Sequence, residues 1–327
     1  MANILITGGA GFIGGHLAAT LVRAGHEVVI FDAYHLSLNN QLHGYVAEQK
    51  VKLIISDLKA TDRITSALEG CDVVFHLAAN SNTRSAATNF RADLDEGIVP
   101  TWILIEGMKR AKVNRLVFSS SQHVYGLQHL VGNDIAPFTE ADVLAPISSY
   151  GAAKACAELL VRQAAAANIL EAVILRLSNI TGSGQNFGVL PDMLRRLHED
   201  PNKLEVLGNG SQSRNFLFVD DVVDAFVKAA EHSVTEVNGC DVFNIAANDT
   251  ASVRELAEIA VSVAGTRHTT IYYQGTPAGW MGDIPNASIS IERARTLLNW
   301  SPRWSSLEAS KRAAIDLHNH ACRSEAG

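Results

Sequence analysis

Short runs of apolar residues alternate with segments of helical hydrophobic spacing through the first half of the chain. The short runs are rich in β-branched residues and predict strands at residues 4–7, 28–31, 51–55, 73–77, 115–119 and 172–177. The helical segments are residues 13–24, 62–68, a stretch that ends near Lys112, and residues 150–167. Near-continuous apolar strands alternating with amphipathic helices predict an α/β fold with a doubly wound parallel sheet covered on both faces.

The hydrophobic pattern changes after about Asn179, where glycines and a proline interrupt it. The Gly-Asn-Gly sequence at residues 208–210 predicts a hairpin turn between strands at 204–207 and 216–219. The hydrophobic pattern of this region indicates a second, smaller unit that differs in structure from the first half of the chain.

A helix is expected over residues 222–230, with Asp220 or Asp221 as its cap, and a strand at 242–246 is expected to rejoin the main sheet. We therefore predict two domains. They are a main domain of residues 1–178 plus about 213–246, and a smaller C-terminal substrate-binding lobe of about 179–212 plus 247–327.

Composition limits the possible partners of the protein. The 327 residues carry a formal net charge of −7, which gives no electrostatic reason to expect nucleic acid or an anionic membrane. The four scattered cysteines form no CxxC pair, so we expect neither a disulfide framework nor a metal site. We find no apolar run of about 18 residues and no basic N-terminal segment typical of a signal peptide, so a cytoplasmic location is expected.

The first predicted strand and helix are joined by the glycines of ILITGGAGFIGG. Gly8, Gly11 and Gly14 permit a tight turn and let a pyrophosphate approach the N-terminus of the following helix. Asp32 ends the next strand, close to the roughly 20 residues after the glycines expected for a ribose-binding carboxylate. Its negative charge would repel a 2′-phosphate. The pattern predicts a Rossmann-type site for NAD rather than NADP.

Residues after the third and fourth strands extend this site. Asp57 and Leu58 are placed to meet the adenine, although an aspartate there is also typical of an ordinary turn. The small residues of the His76-Leu77-Ala78-Ala79 run allow the backbone to approach a cofactor, whereas His76 itself is expected to be a core histidine.

Tyr150 and Lys154 are four residues apart in YGAAK, so they share one face of a helix. A free tyrosine has a pKa near 10 and is a poor base at neutral pH. A nearby ammonium together with NAD⁺ stabilises the phenolate and lowers that pKa. The pair therefore predicts an acid–base centre when it follows a dinucleotide fingerprint and a serine-rich strand end.

The motifs GGAGFIG, HLAA, SSSQHVYG, YGAAK, LRLSNITG, RNFLFVDD and GWMGD occur in this order along the chain. This ordered set resembles the extended short-chain dehydrogenases/reductases, and within them most closely the nucleotide-sugar 4-epimerases of the UDP-glucose 4-epimerase type. The resemblance implies an NAD-dependent enzyme that epimerises a nucleotide-diphosphate sugar at C4 through a transient 4-keto intermediate. It also implies a homodimer in which residues 100–112 and 150–167 of each subunit form a four-helix bundle.

The resemblance assigns roles to individual residues. Ser121, Tyr150 and Lys154 are the expected catalytic residues, with Tyr150 as general base and then acid. The expected NAD contacts are Gly8, Gly11, Phe12, Ile13, Gly14, Asp32, Asp57, Leu58, Leu77, Ala78, Ala79, Ser119, Tyr150 and Lys154. The expected substrate contacts are Ser121, His123, Tyr150, Asn179, Leu190, Arg214 and Asp283. Ser120 is expected to point to the opposite side of the strand.

Two positions depart from the pattern of many relatives. Trp280 stands where an arginine is common, and Gly97 stands where an asparagine is common, near Pro100, at which a helix is expected to start or kink. The Gln122-His123 pair provides no carboxylate in the SSSQHVYG loop. A dehydratase or decarboxylase, a net dehydrogenase or reductase, and a non-catalytic NAD-binding module remain alternative functions.

Overall fold

The structure is a computed structural model that describes residues 1–35, 42–80, 90–127, 130–131, 134–266, 268–275 and 286–325. Its strands are β1 Asn3–Thr7, β2 Glu27–Asp32, β3 Val51–Ile55, β4 Val73–His76, β5 Arg115–Ser121, β6 Leu130–Val131, β7 Asp134–Ile135, β8 Glu171–Leu177, β9 Asn179–Thr181, β10 Lys203–Val206, β11 Ser213–Arg214, β12 Phe216–Phe218, β13 Cys240–Ile245, β14 Ala251–Ser252, β15 Thr270–Tyr273 and β16 Asn286–Ala287. Its helices are α1 Phe12–Arg23, α2 His43–Ala47, α3 Thr61–Leu68, α4 Phe90–Asp93, α5 Val99–Ala111, α6 Ser149–Ala166, α7 Val189–Glu199, α8 Val219–Glu231, α9 Val253–Ala264, α10 Glu292–Leu297 and α11 Ser306–Glu325.

Seven strands form one parallel sheet in the order β3-β2-β1-β4-β5-β8-β13. Successive residues of β1 point to opposite faces, so Ile4 and Ile6 join one apolar cluster and Leu5 joins the other. Helices α1 and α8 bury their apolar sides in the first cluster, and α3, α5 and α6 bury theirs in the second. The predicted doubly wound α/β fold is confirmed, and the strand at Cys240–Ile245 rejoins the sheet beside β8 as expected.

A third apolar cluster lies outside the main sheet. It is built mainly from α7, α9 and α11, with buried side chains of β10 and β12. The boundaries that we gave for two domains stay a prediction.

The predicted hairpin is wrong. β10 pairs in parallel with β15, and β12 pairs in parallel with β9, so the two strands that flank the Gly208–Gly210 turn do not pair with each other. The eight residues between Leu207 and Phe216 are more than the two to five of common hairpin loops. Within this longer loop, the Gln212 side chain donates a hydrogen bond to the carbonyl oxygen of Leu207. This bond stabilises the turn without any pairing of the flanking strands.

The predicted cap of the 222–230 helix is also wrong. α8 begins at Val219, so Asp220 and Asp221 lie in its first turn, and neither caps it. Asp221 is fully buried, and its carboxylate accepts hydrogen bonds from the backbone N–H of Arg303 at 3.0 Å and from Arg303 Nε at 2.5 Å, which offset the cost of burying its charge. Trp300 Nε1 donates to the Asp221 carbonyl oxygen at 3.0 Å, so this aspartate anchors the C-terminal region onto α8.

The parallel register brings the functional segments to one edge of the sheet. Thr7 of β1 is aligned with His76 of β4, and His76 is aligned with Phe118 of β5. The carboxyl ends of these three neighbouring strands therefore meet at the same edge, where ligands bind in open α/β sheets.

Candidate active site

The turn between β1 and α1 brings backbone segments too close together for side chains. A β-carbon on Gly8 would lie 2.6 Å from the backbone nitrogen of Ala78. A β-carbon on Gly14 would lie 2.7 Å from Cα of Gly9 and would overlap the carbonyl oxygen of Gly8. Among the described residues, no side chain caps α1, which begins at Phe12. The N–H groups of its first turn, together with the positive end of its dipole, suit the pyrophosphate of a dinucleotide.

Asp32 ends β2 against this glycine turn. Its Oδ2 accepts a hydrogen bond from the backbone N–H of Ala10 at 3.0 Å, and its Oδ1 accepts one from the backbone N–H of Tyr34 at 3.1 Å. Burial raises the pKa of the Asp32 carboxyl group, and the backbone donors act in the opposite direction. The carboxylate predicted to bind ribose thus lies beside the turn predicted to bind pyrophosphate. Gly11 and Ile13 are part of the same turn and helix start.

Asp57 lies just beyond β3, the strand next to β2, and its side chain is exposed. Its Oδ1 accepts a hydrogen bond from the backbone N–H of Lys59 at 2.8 Å, and its Oδ2 lies 3.3 Å from Lys59 Nζ. Asp57 therefore shapes the turn in the way expected of an ordinary turn aspartate. Leu58 is buried in the core. The adenine contacts of both residues stay predictions.

Leu77, Ala78 and Ala79 follow β4 directly and run past the glycine turn. The Leu77 N–H donates to the carbonyl oxygen of Thr7 at 3.0 Å. Ala78 and Ala79 line a small cavity, and Tyr150 lines the same cavity. The predicted close approach of backbone segments is therefore present in the structure, and it joins the cofactor region to the catalytic region.

His76 is a core residue, as predicted. Its Nδ1 lies 2.6 Å from Thr7 Oγ1, and its Nε2 lies 3.0 Å from Thr101 Oγ1. Burial, together with the nearby positive charge of Lys154, lowers the pKa of His76 to about 3. The imidazole is therefore neutral at physiological pH and bridges two strands and α5 through hydrogen bonds.

The start of α6 is fixed by a serine cap. The Ser148 hydroxyl accepts a hydrogen bond from the backbone N–H of Gly151 at 3.1 Å, so the helix begins at Ser149. This cap places Tyr150 in the first turn and Lys154 one turn later. The helix therefore presents both residues to the carboxyl end of β5, as the four-residue spacing predicted.

Tyr150 meets Ser121 at the end of β5. The Ser121 hydroxyl lies close to the phenol of Tyr150. Burial raises the pKa of Tyr150 to about 12, the neighbouring Ser121 hydroxyl lowers it, and the charge of Asp93 raises it. The predicted lowering of this pKa depends on bound NAD⁺ as well as Lys154, and it stays a prediction for the loaded enzyme.

Lys154 is buried beside these residues. Its ammonium donates to the backbone carbonyl oxygen of Ser119 at 2.7 Å. Burial lowers the pKa of Lys154 to about 8, and the negative charge of Glu158 acts in the opposite direction. The structure thus brings Ser119, Ser121, Tyr150 and Lys154 together, as the sequence predicted.

The Gln122-His123 pair lies in a single 3₁₀ turn that follows β5. The His123 backbone N–H donates to Ser121 Oγ at 3.3 Å, and its ring packs edge-on against Tyr150 with centroids 5.7 Å apart. Gln122 is buried, and its Oε1 accepts no hydrogen bond from any residue that the structure describes. His123 therefore borders Tyr150 directly.

Ser120 points away from this group. Its hydroxyl donates to Glu158 Oε1 at 2.5 Å, and Glu158 Oε2 accepts a hydrogen bond from Arg176 Nη2 at 2.7 Å. Arg176 Nη1 in turn donates to the Tyr125 hydroxyl at 2.8 Å. Tyr125 is therefore part of a buried structural network. The prediction that Ser120 faces the opposite side of the strand is confirmed.

Asp93 is a residue that the sequence motifs missed. It is 3% exposed and lines the same small cavity as Tyr150 and Lys154. Its carboxylate accepts hydrogen bonds from Asn80 and from Ser149. No motif predicted a carboxylate here, because the sequence before Asp93 shows no apolar periodicity.

The expected substrate residues lie on the elements that follow the main sheet. Asn179 begins β9, and its Nδ2 donates to the carbonyl oxygen of Asn215 at 3.4 Å. Leu190 is buried in the first turn of α7, and Arg214 lies in β11 between β14 and β16. Their roles in substrate binding stay predictions. Asp283 and Trp280 lie outside the described residues.

Asn215 was not singled out from the sequence, although it is buried at the junction of these elements. Its side chain donates to the carbonyl oxygens of Ala247 and Asp249 at 3.0 and 2.8 Å, and its Oδ1 accepts from Ile289 N–H at 3.2 Å. Asn215 therefore fixes the backbone beside Arg214.

Comparison with known proteins identifies the family. The model of the NAD dependent epimerase/dehydratase family matches residues 4–246. The chain belongs to this family. It is 29% identical to UDP-glucose 4-epimerase of Lactobacillus helveticus over 92% of each chain. It is 30% identical to an uncharacterized UDP-glucose epimerase of Bacillus subtilis, over 92% of this chain and 93% of the relative. The family resemblance seen in the sequence is confirmed.

Solved structures of similar proteins agree with the family assignment. A crystal structure of UDP-galactose 4-epimerase superposes with a TM-score of 0.83 at 31% identity and covers 97% of this chain and 99% of that one. UDP-glucuronic acid 4-epimerase from Bacillus cereus, solved with UDP-glucuronic acid and NAD, superposes with a TM-score of 0.84 at 26% identity, covering 97% and 99%. Two relatives of the same fold thus carry names with different sugars.

No helix within the described part of the chain is both long enough and apolar enough to cross a membrane. In the same residues, no group of three His, Cys, Asp or Glu side chains is arranged to hold a metal ion.

Proposed function

We propose that this NAD-dependent enzyme interconverts nucleotide-diphosphate sugars that differ in configuration at C4. The observation that carries the proposal is the grouping of the Ser121 hydroxyl, the Tyr150 phenol and the Lys154 ammonium at the sheet edge where the glycine turn also lies. A hydroxyl pair and an ammonium next to a dinucleotide turn form a centre for coupled proton and hydride transfer.

Each residue of this group has a separate role in the proposed reaction. Tyr150 takes the proton from the sugar O4 and later returns it, and Ser121 holds that oxygen at the phenol. Lys154, fixed through Ser119, places its charge beside the site. Bound NAD⁺ supplies the hydride acceptor and donor at C4. The enzyme thereby forms a transient 4-keto sugar and ends each cycle with its cofactor as it began.

The proposed cofactor contacts are the groups that surround the glycine turn. Gly8, Gly14 and the uncapped start of α1 hold the pyrophosphate, and Asp32 binds the ribose hydroxyls. The carboxylate of Asp32 would repel a 2′-phosphate. We expect NAD to bind at least about tenfold more tightly than NADP, and Asp32→Asn to narrow that preference.

Relatives act on different sugars, so the substrate is proposed as a class. Asn179, Leu190, Arg214 and Asp283 are the proposed contacts for the nucleotide and its phosphates. Arg214 suits a diphosphate because a guanidinium binds phosphate oxygens with two parallel hydrogen bonds. His123, which packs on Tyr150, is the proposed contact to the sugar.

The decisive experiment incubates purified protein with UDP-glucose, UDP-galactose, UDP-glucuronic acid and UDP-N-acetylglucosamine without an added redox partner. We expect interconversion of at least one C4 pair with no net change in NADH absorbance. A 6-deoxy-4-keto product, released CO₂ or stoichiometric NADH would instead identify one of the other reactions. Tyr150→Phe should retain the fold and NAD binding and lose activity by about 10²–10⁴-fold. A fully active Tyr150→Phe enzyme would overturn the assignment of the base.

We also propose that the protein works as a cytoplasmic homodimer. Trp102 of α5 is 54% exposed and Leu159 of α6 is 58% exposed, on the two helices predicted to form a four-helix bundle. Large apolar side chains exposed on adjacent helices favour burial against a second subunit. The four cysteines are free, which suits a reducing compartment.

A further inference from the structure

Asp93 connects two parts of the active site that lie far apart in sequence. Its Oδ1 accepts a hydrogen bond from Asn80 Nδ2 at 3.0 Å, and its Oδ2 accepts one from Ser149 Oγ at 2.6 Å. Asn80 follows the Leu77–Ala79 backbone segment, and Ser149 directly precedes Tyr150. The buried carboxylate therefore ties the cofactor side of the cleft to the first turn of α6.

The chain reaches this position through an unusual helical segment. A π-helical turn, Leu94–Ile98, joins α4 to α5, and such turns are frequent at functional sites. It brings Asp93, Gly97 and Thr101, which are spaced four residues apart, onto one side, where all three line the same small cavity. Tyr150 and Lys154 of α6 line that cavity as well.

The cavity has a volume of about 10 Å³, which is space for about one water molecule. Gly97 adds no side chain to this cavity, and a β-carbon at this position would meet only the methyl group of Ala153, at 3.6 Å. The charge of Asp93 therefore acts on Tyr150 across a gap with almost no room for screening solvent.

The charged and titratable groups around this cavity come from four elements. Asp93 of α4 and Tyr150 and Lys154 of α6 line it. Behind this lining, His76 of β4 and Glu158 of α6 lie near Lys154, and His123 of the turn after β5 packs on Tyr150. The ammonium of Lys154 is directed to the Ser119 carbonyl oxygen, and His76 is neutral. α6 has no acidic residue of its own in its first turn, so Asp93 supplies the negative charge that a helix N-terminus favours.

We propose that Asp93 is a positioning residue for the catalytic tyrosine, which fixes the first turn of α6 through Ser149 and opposes ionisation of the phenol with its negative charge. This inference rests on the proposed role of Tyr150 as the base. Because an anion favours the protonated phenol and a cation favours the phenolate, the charge of Asp93 opposes the effect that Lys154 and bound NAD⁺ would have on the ionisation of Tyr150. Asp93 itself does not touch the sugar, because it is buried and both of its oxygens accept protein hydrogen bonds.

Two variants separate the charge from the anchor. Asp93→Asn removes the charge and keeps the size and an acceptor for Ser149, whereas Ser149→Ala removes the hydrogen bond and keeps the charge. Ionisation of Tyr150 is followed in NAD-free protein by ultraviolet difference titration, with the titration of Tyr150→Phe subtracted. The pH dependence of kcat/KM is measured on the same preparations loaded with NAD⁺.

We expect Asp93→Asn to move the ionisation of Tyr150, and the acidic limb of kcat/KM, to lower pH by about half a unit or more. Ser149→Ala should lower kcat without that shift. If Asp93→Asn does not fold, Asp93→Ser is titrated in its place. A midpoint that is unchanged or higher without the charge would overturn the proposal. An active Tyr150→Phe would instead refute the proposed base, and the titration would still report whether Asp93 acts on the phenol.

Discussion

The ammonium of Lys154 and the carbonyl oxygen of Ser119 are joined by a hydrogen bond of 2.7 Å. This bond ties α6 to the carboxyl end of β5 and keeps a cation in a site that is almost fully buried. Burial of a cation costs free energy, and one neutral acceptor offsets only part of that cost. The lysine is therefore kept at the expense of stability, which is typical of a functional residue.

The pKa of Lys154 predicts a specific dependence of stability on pH. Burial lowers it from 10.5 to about 8. Between these pH values Lys154 is protonated in the unfolded chain and neutral in the folded protein, so the free energy of unfolding should rise with pH across that window. Below the window the ammonium is buried, and the free energy of unfolding is reduced by the full cost of burying it. The rise attributable to Lys154 is about 2–4 kcal/mol.

Lys154→Met removes this titration and keeps the length of the side chain. The free energy of unfolding of the NAD-free wild type, minus that of Lys154→Met, should therefore increase from pH 8 to pH 10.5. Urea denaturation at a series of pH values measures the difference, which also cancels the titration of other groups. A difference that stays flat across this window would contradict the lowered pKa.

Ser120 and Ser121 are neighbours in sequence, but Ser120 contacts Glu158 whereas Ser121 lies beside Tyr150. The alanine variants of the two serines therefore serve as controls for each other. Ser121→Ala removes the hydroxyl beside the Tyr150 phenol and should reduce kcat by about 10–100-fold, with little change in stability. Ser120→Ala leaves the buried carboxylate of Glu158 with one donor fewer and should cost about 1–3 kcal/mol of stability. Steady-state kinetics and urea denaturation of both variants test this. Equal loss of kcat in the two would refute the assignment.

The strands and helices of the main sheet could be predicted because their signals are local. Apolar runs, the glycine turn and the four-residue spacing of Tyr150 and Lys154 each depend on a few adjacent residues, and the structure bears out their elements. The strand that carries Ser119 and Ser121 continues to Ser121, two residues beyond the predicted end, because β8 pairs with all three serines. Polar residues at a buried strand end carry no apolar signal.

The errors arose where tertiary contacts decide the structure. The partner of β10 is β15, which lies far along the chain, and no local pattern near Gly208 could indicate it. Asp221 resembles a cap in sequence, whereas its pairing with Arg303 can be seen only in the folded chain. Asp93 was missed for the same reason, because it reaches the site through a π-helical turn that has no sequence period of its own.

The glycine turn predicts a steric limit. A β-carbon on Gly14 would overlap the carbonyl oxygen of Gly8, so Gly14→Ala should displace the turn, cost about 1–3 kcal/mol of stability and weaken NAD binding severely. Gly44→Ala is the matched control, because a β-carbon there meets nothing within 4 Å and alanine favours the helix. Calorimetric titration with NAD⁺ and thermal unfolding measure both effects. Normal NAD affinity in Gly14→Ala would show that the turn does not hold the cofactor.

The proposed dimer is tested on the exposed face of α6. Leu159 is a large apolar residue in mid-helix, and an aspartate at this position would place a charge in the proposed four-helix bundle. Since burying an unpaired charge is costly, Leu159→Asp should convert the dimer to a monomer. Val237→Asp is the control, because Val237 is fully exposed in a loop outside α5 and α6. Sedimentation velocity should give a dimer for the wild type and the control and a monomer for Leu159→Asp, with all three folded by circular dichroism. A dimeric Leu159→Asp would place the subunit interface elsewhere, and a monomeric wild type would refute the dimer itself.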